Sequence, residues 1–439
     1  MKLFGEYISG IERVLDNEDN SSGLYGARNH VMELLNESVV ASKKTFSKGL
    51  VVGDLPTNSK TLLDFDHNYL KSLFGANPSS FDNIQIGSHP DFEHLQSNQT
   101  LKHHCVSMFV DIKGSTRLSL NHSLEDIRLI KDSLLTLSIN IANFFGGHIH
   151  RLQGDAAFIQ FVRKERHPND AIINALNMAS VLCQFVSNDL AQSFESRGLK
   201  PIKIRIGIDY GKDDEVLWSY YGIPGCNELT TTSLHTDLAA KLQNKAKNNS
   251  IRIGKNIVEA LDLPDDYYSI PRISNSDGTS KPDYYILQSP ELNYAQYDFD
   301  WKKHLIEFQF MGKDQSGKLE VKDIMFELRC FVKQSENEEE FRYFENSFAL
   351  PKGYSMRFVI YKNGYPYHRL VNEKITWEVE NRGNEANIAD DLNHDFKGHY
   401  HNETQATTNS AYLGHHFLKC KIVRQFGDNI NLKFPVFVQ

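Results

Sequence analysis

The chain has 439 residues, of which 40% are hydrophobic, 24% charged and 11% aromatic, so two to three domains with ordinary cores are expected and long disorder is not. A net charge of −8, with no Lys/Arg run of five or more, excludes a generic nucleic-acid or membrane-surface binder, because no basic field meets the phosphates. Five separated cysteines (Cys105, Cys183, Cys226, Cys330, Cys420) form no C-x-x-C pair and read as reduced thiols. The start, MKLFGEYISGIERVL, lacks a signal-peptide core, and no window approaches eighteen uninterrupted apolar residues. A cytoplasmic protein without a membrane span is expected.

Residues 1–100 read as a partly helical N-terminal extension, with helical periodicity around 27–47 and polar turns at Pro56, Pro78 and Pro90. From 106 onward strands and helices alternate. The pattern predicts a strand at 106–112, helices across 123–145, and a hairpin of strands at 147–152 and 156–162 that turns at Gln153-Gly154-Asp155. A long amphipathic helix (about 168–196), strands at 202–209 and near 214–220, a helix at 234–248, a strand at 250–253 and a helix after Gly254 follow. This β-α-β-β-α-β succession predicts an α+β, ferredoxin-like unit over 101–290, its edge marked by the polar SNSDGTSKPD at 274–283. Beyond about 300 the short runs LIEFQF, KDIMFELRCFV, SMRFVIYK, KITWEVEN, HFLKCKIV and FPVFVQ predict half-buried antiparallel strands. They form an all-β sandwich over 291–439 with Trp377 in its core.

Two acids carry the chemistry. Asp111 ends the strand SMFVDI, and Asp155 stands at the turn of HIHRLQGDAAFIQF. Alone, either acid is more often a turn or cap residue. Together, at turns that a β-α-β arrangement can set side by side, they form with the carbonyl of Ile112 an oxygen-only site suited to Mg²⁺ or Mn²⁺ and a bound phosphate. Two metals there would suit attack by a sugar hydroxyl on a phosphate. The turn Gly114-Ser115-Thr116 leads into a helix whose first amides would face a triphosphate, and Lys113 is a further candidate contact. Other features read as structural: Phe144, Phe145, Phe158 and Phe161 as core aromatics, and His394, His399, His401, His415 and His416 as loop histidines without a standard metal spacing. Arg205 reads equally as a phosphate contact or an exposed alternating position.

The stretches FVDIKGSTRLS, GGHIHRLQGDAAFIQF, KIRIGIDYG and DLAAKLQ, in this order over about 105–260, resemble the class III nucleotidyl cyclase catalytic domain. The resemblance implies a homodimer with shared active sites, and it makes Asp111 and Asp155 ligands of a two-metal site. It implies in-line attack of a ribose 3′-oxygen on the α-phosphorus, with release of pyrophosphate. Where the family carries a base-reading Lys or Glu, this chain has Arg151, and the partner position falls at about Thr230. The family's ribose-positioning Asn and transition-state Arg align with Asp237 and Lys241; a Lys supplies a point charge without the fork of Arg. Arg151 offers paired donors that suit adjacent acceptors such as cytosine N3 and O2, or uracil by tilting, and it also suits guanine O6 and N7; a salt bridge at the dimer seam is its structural alternative. The C-terminal stretches ITWEVENRGNEA, HDFKGHYHNET and AYLGHHFLKC resemble the sensor-type domain appended to bacterial antiphage nucleotidyltransferases and cyclases. The whole resembles the Pycsar pyrimidine cyclases, which implies conversion of UTP or CTP to cyclic UMP or cyclic CMP in response to an unknown phage trigger. An adenylate or guanylate cyclase, or a silent nucleotide-binding domain, stays open as an alternative.

Overall fold

In a computed structural model the described residues are 7–9, 12, 67–116, 120, 123–196, 200–275, 278–395 and 404–439. The helix expected around 27–47 lies outside them, as do His399 and His401.

Strand β1 (Cys105–Ile112) buries Val106, Met108, Val110 and Ile112. Helix α1 (Leu124–Phe144) starts at Ser123, whose hydroxyl accepts from the Asp126 amide while Asp126 accepts from the Ser123 amide. It leads into β2 (Gly147–Gln153) and β3 (Ala156–Phe161), joined by a turn in which Gly154 has φ +67°. Helix α2 (Pro168–Gln184) opens with Pro at its first position behind the His167 cap, then runs through a π turn (Phe185–Leu190) into Ala191–Ser196. This stretch is apolar nearly all round because it lies inside the core, with 94% of its most apolar window buried. Strands β4 (Ile204–Gly211), β5 (Leu217–Ile223) and β6 (Cys226–Thr232), helix α3 (Leu234–Lys245), strand β7 (Ser250–Gly254) and helix α4 (Lys255–Leu261) follow.

Central strand β1 pairs antiparallel with β3 on one side and β4 on the other; β2 lies outside β3, and β7 runs parallel to β4. The order β2-β3-β1-β4 is that of a ferredoxin-like α+β sheet. The sheet continues past residue 290, because β8 (Asn293–Phe299) pairs with β7. Strand β6 is an addition to the sequence reading: TTT before Ser233 closes a hairpin with β5, which joins Thr100–Lys102 in a separate three-stranded sheet. One expected strand is instead helical. Trp301–Ile306 forms a helix capped by Asp300, so LIEFQF is its last turn and exit. Trp301, His304, Leu305 and Phe308 recur at helical spacing and all are buried, which outweighs the short alternation within LIEFQF.

The C-terminal unit is a sandwich of two antiparallel sheets. One centres on β9 (Phe326–Lys333) and β10 (Ser355–Lys362); the other contains β11 (Glu373–Glu380), β12 (Gly414–Arg424) and β13 (Ile430–Val438). Leu328, Cys330, Phe358, Trp377, Leu418 and Phe434 fill the space between them. A buried polar chain ties this unit to α2. His304 Nε2 lies 2.7 Å from Asn177 Oδ1, the Asn177 amide donates to the Asn346 carbonyl at 3.1 Å, and Asn346 Nδ2 lies 2.9 Å from His415 Nε2. Asp170, at the start of α2, accepts from the Ala349 amide at 2.6 Å.

Candidate active site

The register Val110↔Ala157 sets the β2–β3 turn beside the end of β1, and so brings Asp155 next to Asp111. Burial raises the Asp111 carboxyl above its ordinary value; Arg205 opposes that shift and the neighbouring Asp155 charge adds to it. Arg205 stands directly across the ladder from Asp111 and donates to its Oδ2 from Nη2, and Nη1 donates to the Asn244 carbonyl at 3.0 Å. Gln243, near the end of α3, donates to the same Oδ2 at 3.0 Å. The Lys131 ammonium on α1 lies 3.6 Å from Asp155 Oδ1. The other oxygen, Oδ2, is buried and has no hydrogen-bond partner. An acceptor-only oxygen left without a donor beside a second carboxylate is what a hard divalent cation would satisfy, so the residues present fit the metal that the sequence leads one to expect.

Gln243 and Lys131 escaped the sequence reading, which weighed Arg205 only as a phosphate contact or an exposed position. Arg205 alternates with apolar residues in KIRIGID, and only the strand pairing shows that it meets Asp111.

Gly114 turns at φ +76°, and Ser115 and Thr116 begin a helical turn with Gly114 and Thr116 exposed. The Lys113 ammonium donates to the Ala246 carbonyl at the end of α3, at 3.4 Å, so this side chain closes a helix rather than reaching into the gap. Asp237 and Lys241, four residues apart, share an exposed face of α3, while Gln243 points from the opposite side to Asp111. One chain therefore does not bring Asp237 and Lys241 to its own Asp111. The helix itself is seated by polar groups: buried Asp209 accepts from Tyr294 at 2.8 Å and stands 2.9 Å from buried His235 Nδ1, and exposed Glu215 lies 3.2 Å from His235 Nε2. Burial alone would lower His235, but these two carboxylates raise it.

Arg151, on β2, is 54% exposed and donates from Nη2 to Glu228 on β6. Thr230 is half-buried two residues along the same strand. Elsewhere, Phe109 and half-buried Phe158 stack in parallel at 4.5 Å, while Phe144, Phe145 and Phe161 are buried as expected. His415 is buried and His416 bonds to the Tyr412 carbonyl at 2.7 Å, so neither is a solvated loop residue. His416 also lines a partly open cavity of about 80 Å³ in the sandwich, together with Phe358, Asn381, Asp391 and Leu418. Among the described residues, His103, His104 and Asp213 place three metal-capable groups within 4.8 Å at the far end of β1, where Asp213 already accepts from the His104 amide and lies against its ring.

The ferredoxin-like sheet with two carboxylates at adjacent strand ends is the arrangement of a class III nucleotidyl cyclase, and comparison with known proteins agrees. Residues 302–430 match the Adenylyl/Guanylyl and SMODS C-terminal sensor domain family. A cytidylate cyclase of Staphylococcus aureus is 39% identical over 356 residues, covering 80% of this chain and 82% of the relative. A cytidylate cyclase of Escherichia coli is 34% identical over 347 residues, covering 76% and 72%. Among solved structures, the adenylyl cyclase CyaB from P. aeruginosa aligns over 46% of this chain and 95% of its own at 20% identity, with a TM-score of 0.37. The guanylate cyclase domain of RhGC from Catenaria anguillulae, in complex with GTP, aligns over 46% and 97% at 17% identity and a TM-score of 0.35. The chain belongs to the cytidylate cyclase family, nucleotidyl cyclases of the Pycsar type that carry a C-terminal sensor domain.

Proposed function

We propose that this chain converts a pyrimidine nucleoside triphosphate, CTP or UTP, to its 3′,5′-cyclic monophosphate and pyrophosphate, in the cytoplasm, as a signal raised on phage infection. The observation that carries the reading is the Asp111–Asp155 pair with its donorless buried oxygen. Two relatives named cytidylate cyclase and the sensor-domain match support the substrate class and the signalling role. The 3′-oxygen loses its proton and bonds to the α-phosphorus as the bond to the β-phosphate oxygen breaks, so pyrophosphate leaves without water entering.

Asp111, Asp155 and the Ile112 carbonyl would hold Mn²⁺ or Mg²⁺, which when bound neutralises phosphate charge and acidifies the attacking hydroxyl. The amides of Gly114-Ser115-Thr116 orient the triphosphate. Asp237 accepts from the ribose and Lys241 adds a positive point charge at the phosphates. Both face away from their own chain's carboxylates, which supports a homodimer in which each site draws on two chains. Arg151 and Thr230 read the base.

The test offers all four ribonucleoside triphosphates with Mn²⁺ and identifies products by mass spectrometry. Cyclic CMP or cyclic UMP is expected. Cyclic AMP as the main product, or no cyclic product from any substrate, would sink the reading.

A further inference from the structure

The Arg151–Glu228 pair carries more than a surface ion pair would. Exposed salt bridges contribute little to stability, and many contribute nothing measurable. Yet Glu228 has a neighbour on each side. One oxygen accepts from Arg151; the other lies 3.3 Å from Nε2 of His150, a residue only 2% exposed. His150 is fixed in turn, with Nδ1 3.1 Å from the Gly87 carbonyl, on which His148 Nε2 also converges at 2.8 Å. Burial lowers His150, and a neutral ring whose Nδ1–H meets the Gly87 carbonyl turns only a lone pair on Nε2 toward Glu228, so Arg151 is the donor that orients this carboxylate, itself 35% exposed. Glu228 and Thr230 also share a face of β6, since they are two residues apart on a strand. Arg151, Glu228 and Thr230 thus line one open surface, where the sequence alone marked Arg151 and Thr230.

The donor and acceptor pattern of this surface is specific. A guanidinium offers parallel donors and no acceptor; a carboxylate offers acceptors and no donor. Side by side they present donor, donor, acceptor. The outer edge of cytosine presents the complement: O2 and N3 accept and the 4-amino group donates. Uracil differs at two of these three positions, because its N3–H would face the guanidinium and its O4 would face the carboxylate. Burying a polar group against a like partner costs far more than omitting a contact, so the mismatch rejects more strongly than the match attracts.

Resting on the pyrimidine-cyclase reading above, we infer that Glu228 is a specificity-determining residue that accepts from the 4-amino group of cytosine while Arg151 donates to N3 and O2, so that the enzyme selects CTP over UTP.

The experiment measures kcat/KM for CTP, UTP and GTP in the wild type and in Glu228→Gln, whose amide can donate as well as accept. The wild type is expected to favour CTP, and E228Q to lower the CTP:UTP ratio about 10- to 100-fold. A ratio unchanged within about threefold would reduce Glu228 to a rim salt bridge. A wild type that prefers UTP overturns this inference and leaves the pyrimidine reading standing. Guanine could meet the pair the other way round, with O6 on Arg151 and N1–H and the 2-amino group on Glu228; a wild type that prefers GTP overturns both. Should E228Q turn over too slowly to assay, equilibrium binding of CTP and UTP in Ca²⁺ reads the same ratio, with the same two outcomes.

Discussion

Asp111 stands where three influences meet: burial, a second carboxylate, and a guanidinium placed directly opposite by strand register. Removing the guanidinium leaves two partly buried acids facing each other. Arg205→Leu is therefore expected to lose about 1–3 kcal/mol of stability at pH 7, read by urea unfolding; the pair is 19% exposed on each side, which keeps the effect below that of a fully buried bridge. Asp155→Asn should leave the fold intact and reduce cyclase turnover at least ~100-fold under saturating Mn²⁺, because it removes an acceptor for the cation. Retained turnover would remove Asp155 from the site. The two acids were legible in the sequence because each closes a strand and precedes small residues. Arg205, Gln243 and Glu228 were not, because what they face depends on which strands and helices lie side by side, and no local pattern encodes that.

Helix α3 is the element on which the site depends most. It lies directly on β4 at Gly207, where an added Cβ would stand 2.1 Å from the Gln243 amide nitrogen and 2.3 Å from the Ala239 carbonyl oxygen. No side chain can yield there, since both atoms are backbone. Gly207→Ala is expected to push α3 off the sheet, destabilise the protein by about 1–3 kcal/mol or more, and lower turnover by drawing Gln243 away from Asp111. Calorimetry and the cyclase assay read the two effects separately; unchanged melting would contradict the packing. The cap is a milder probe. The Ser233 hydroxyl accepts from the His235 amide, and Ser233→Ala should cost about 1 kcal/mol. The helical and strand periods of the first unit were readable because its elements are long and bury whole faces. The hairpin partner β6 and the helix over LIEFQF were not, since a six-residue run fits both periods and only the neighbouring Asp300 cap and buried Trp301 decide.

For the whole molecule, the join between the two units is polar, buried and titratable. Burial lifts the Asp170 carboxyl to about 6 against an ordinary 3.8; the Ala349 amide and Arg166 oppose the shift without cancelling it. Between these values the folded chain binds more protons than the unfolded chain, so stability falls as pH rises from about 4 to 6 and then levels. Asp170→Asn keeps an acceptor for the Ala349 amide and loses the charge. It is expected to flatten this slope in urea titrations at pH 4, 5, 6 and 7, and to unfold no more easily than the wild type above pH 6.

Helix α3 braces its own Asp111 through Gln243 while it turns Asp237 and Lys241 outward, and in the proposed homodimer each polypeptide would supply two unmatched halves. Asp155→Asn and Lys241→Ala chains, each inactive alone, should rescue one another when co-expressed. Random pairing yields the mixed species half the time, and each mixed pair holds one intact site of two, so about a quarter of wild-type output is expected. A damaged copy of the gene would on this arithmetic dilute the product of a healthy copy without silencing it.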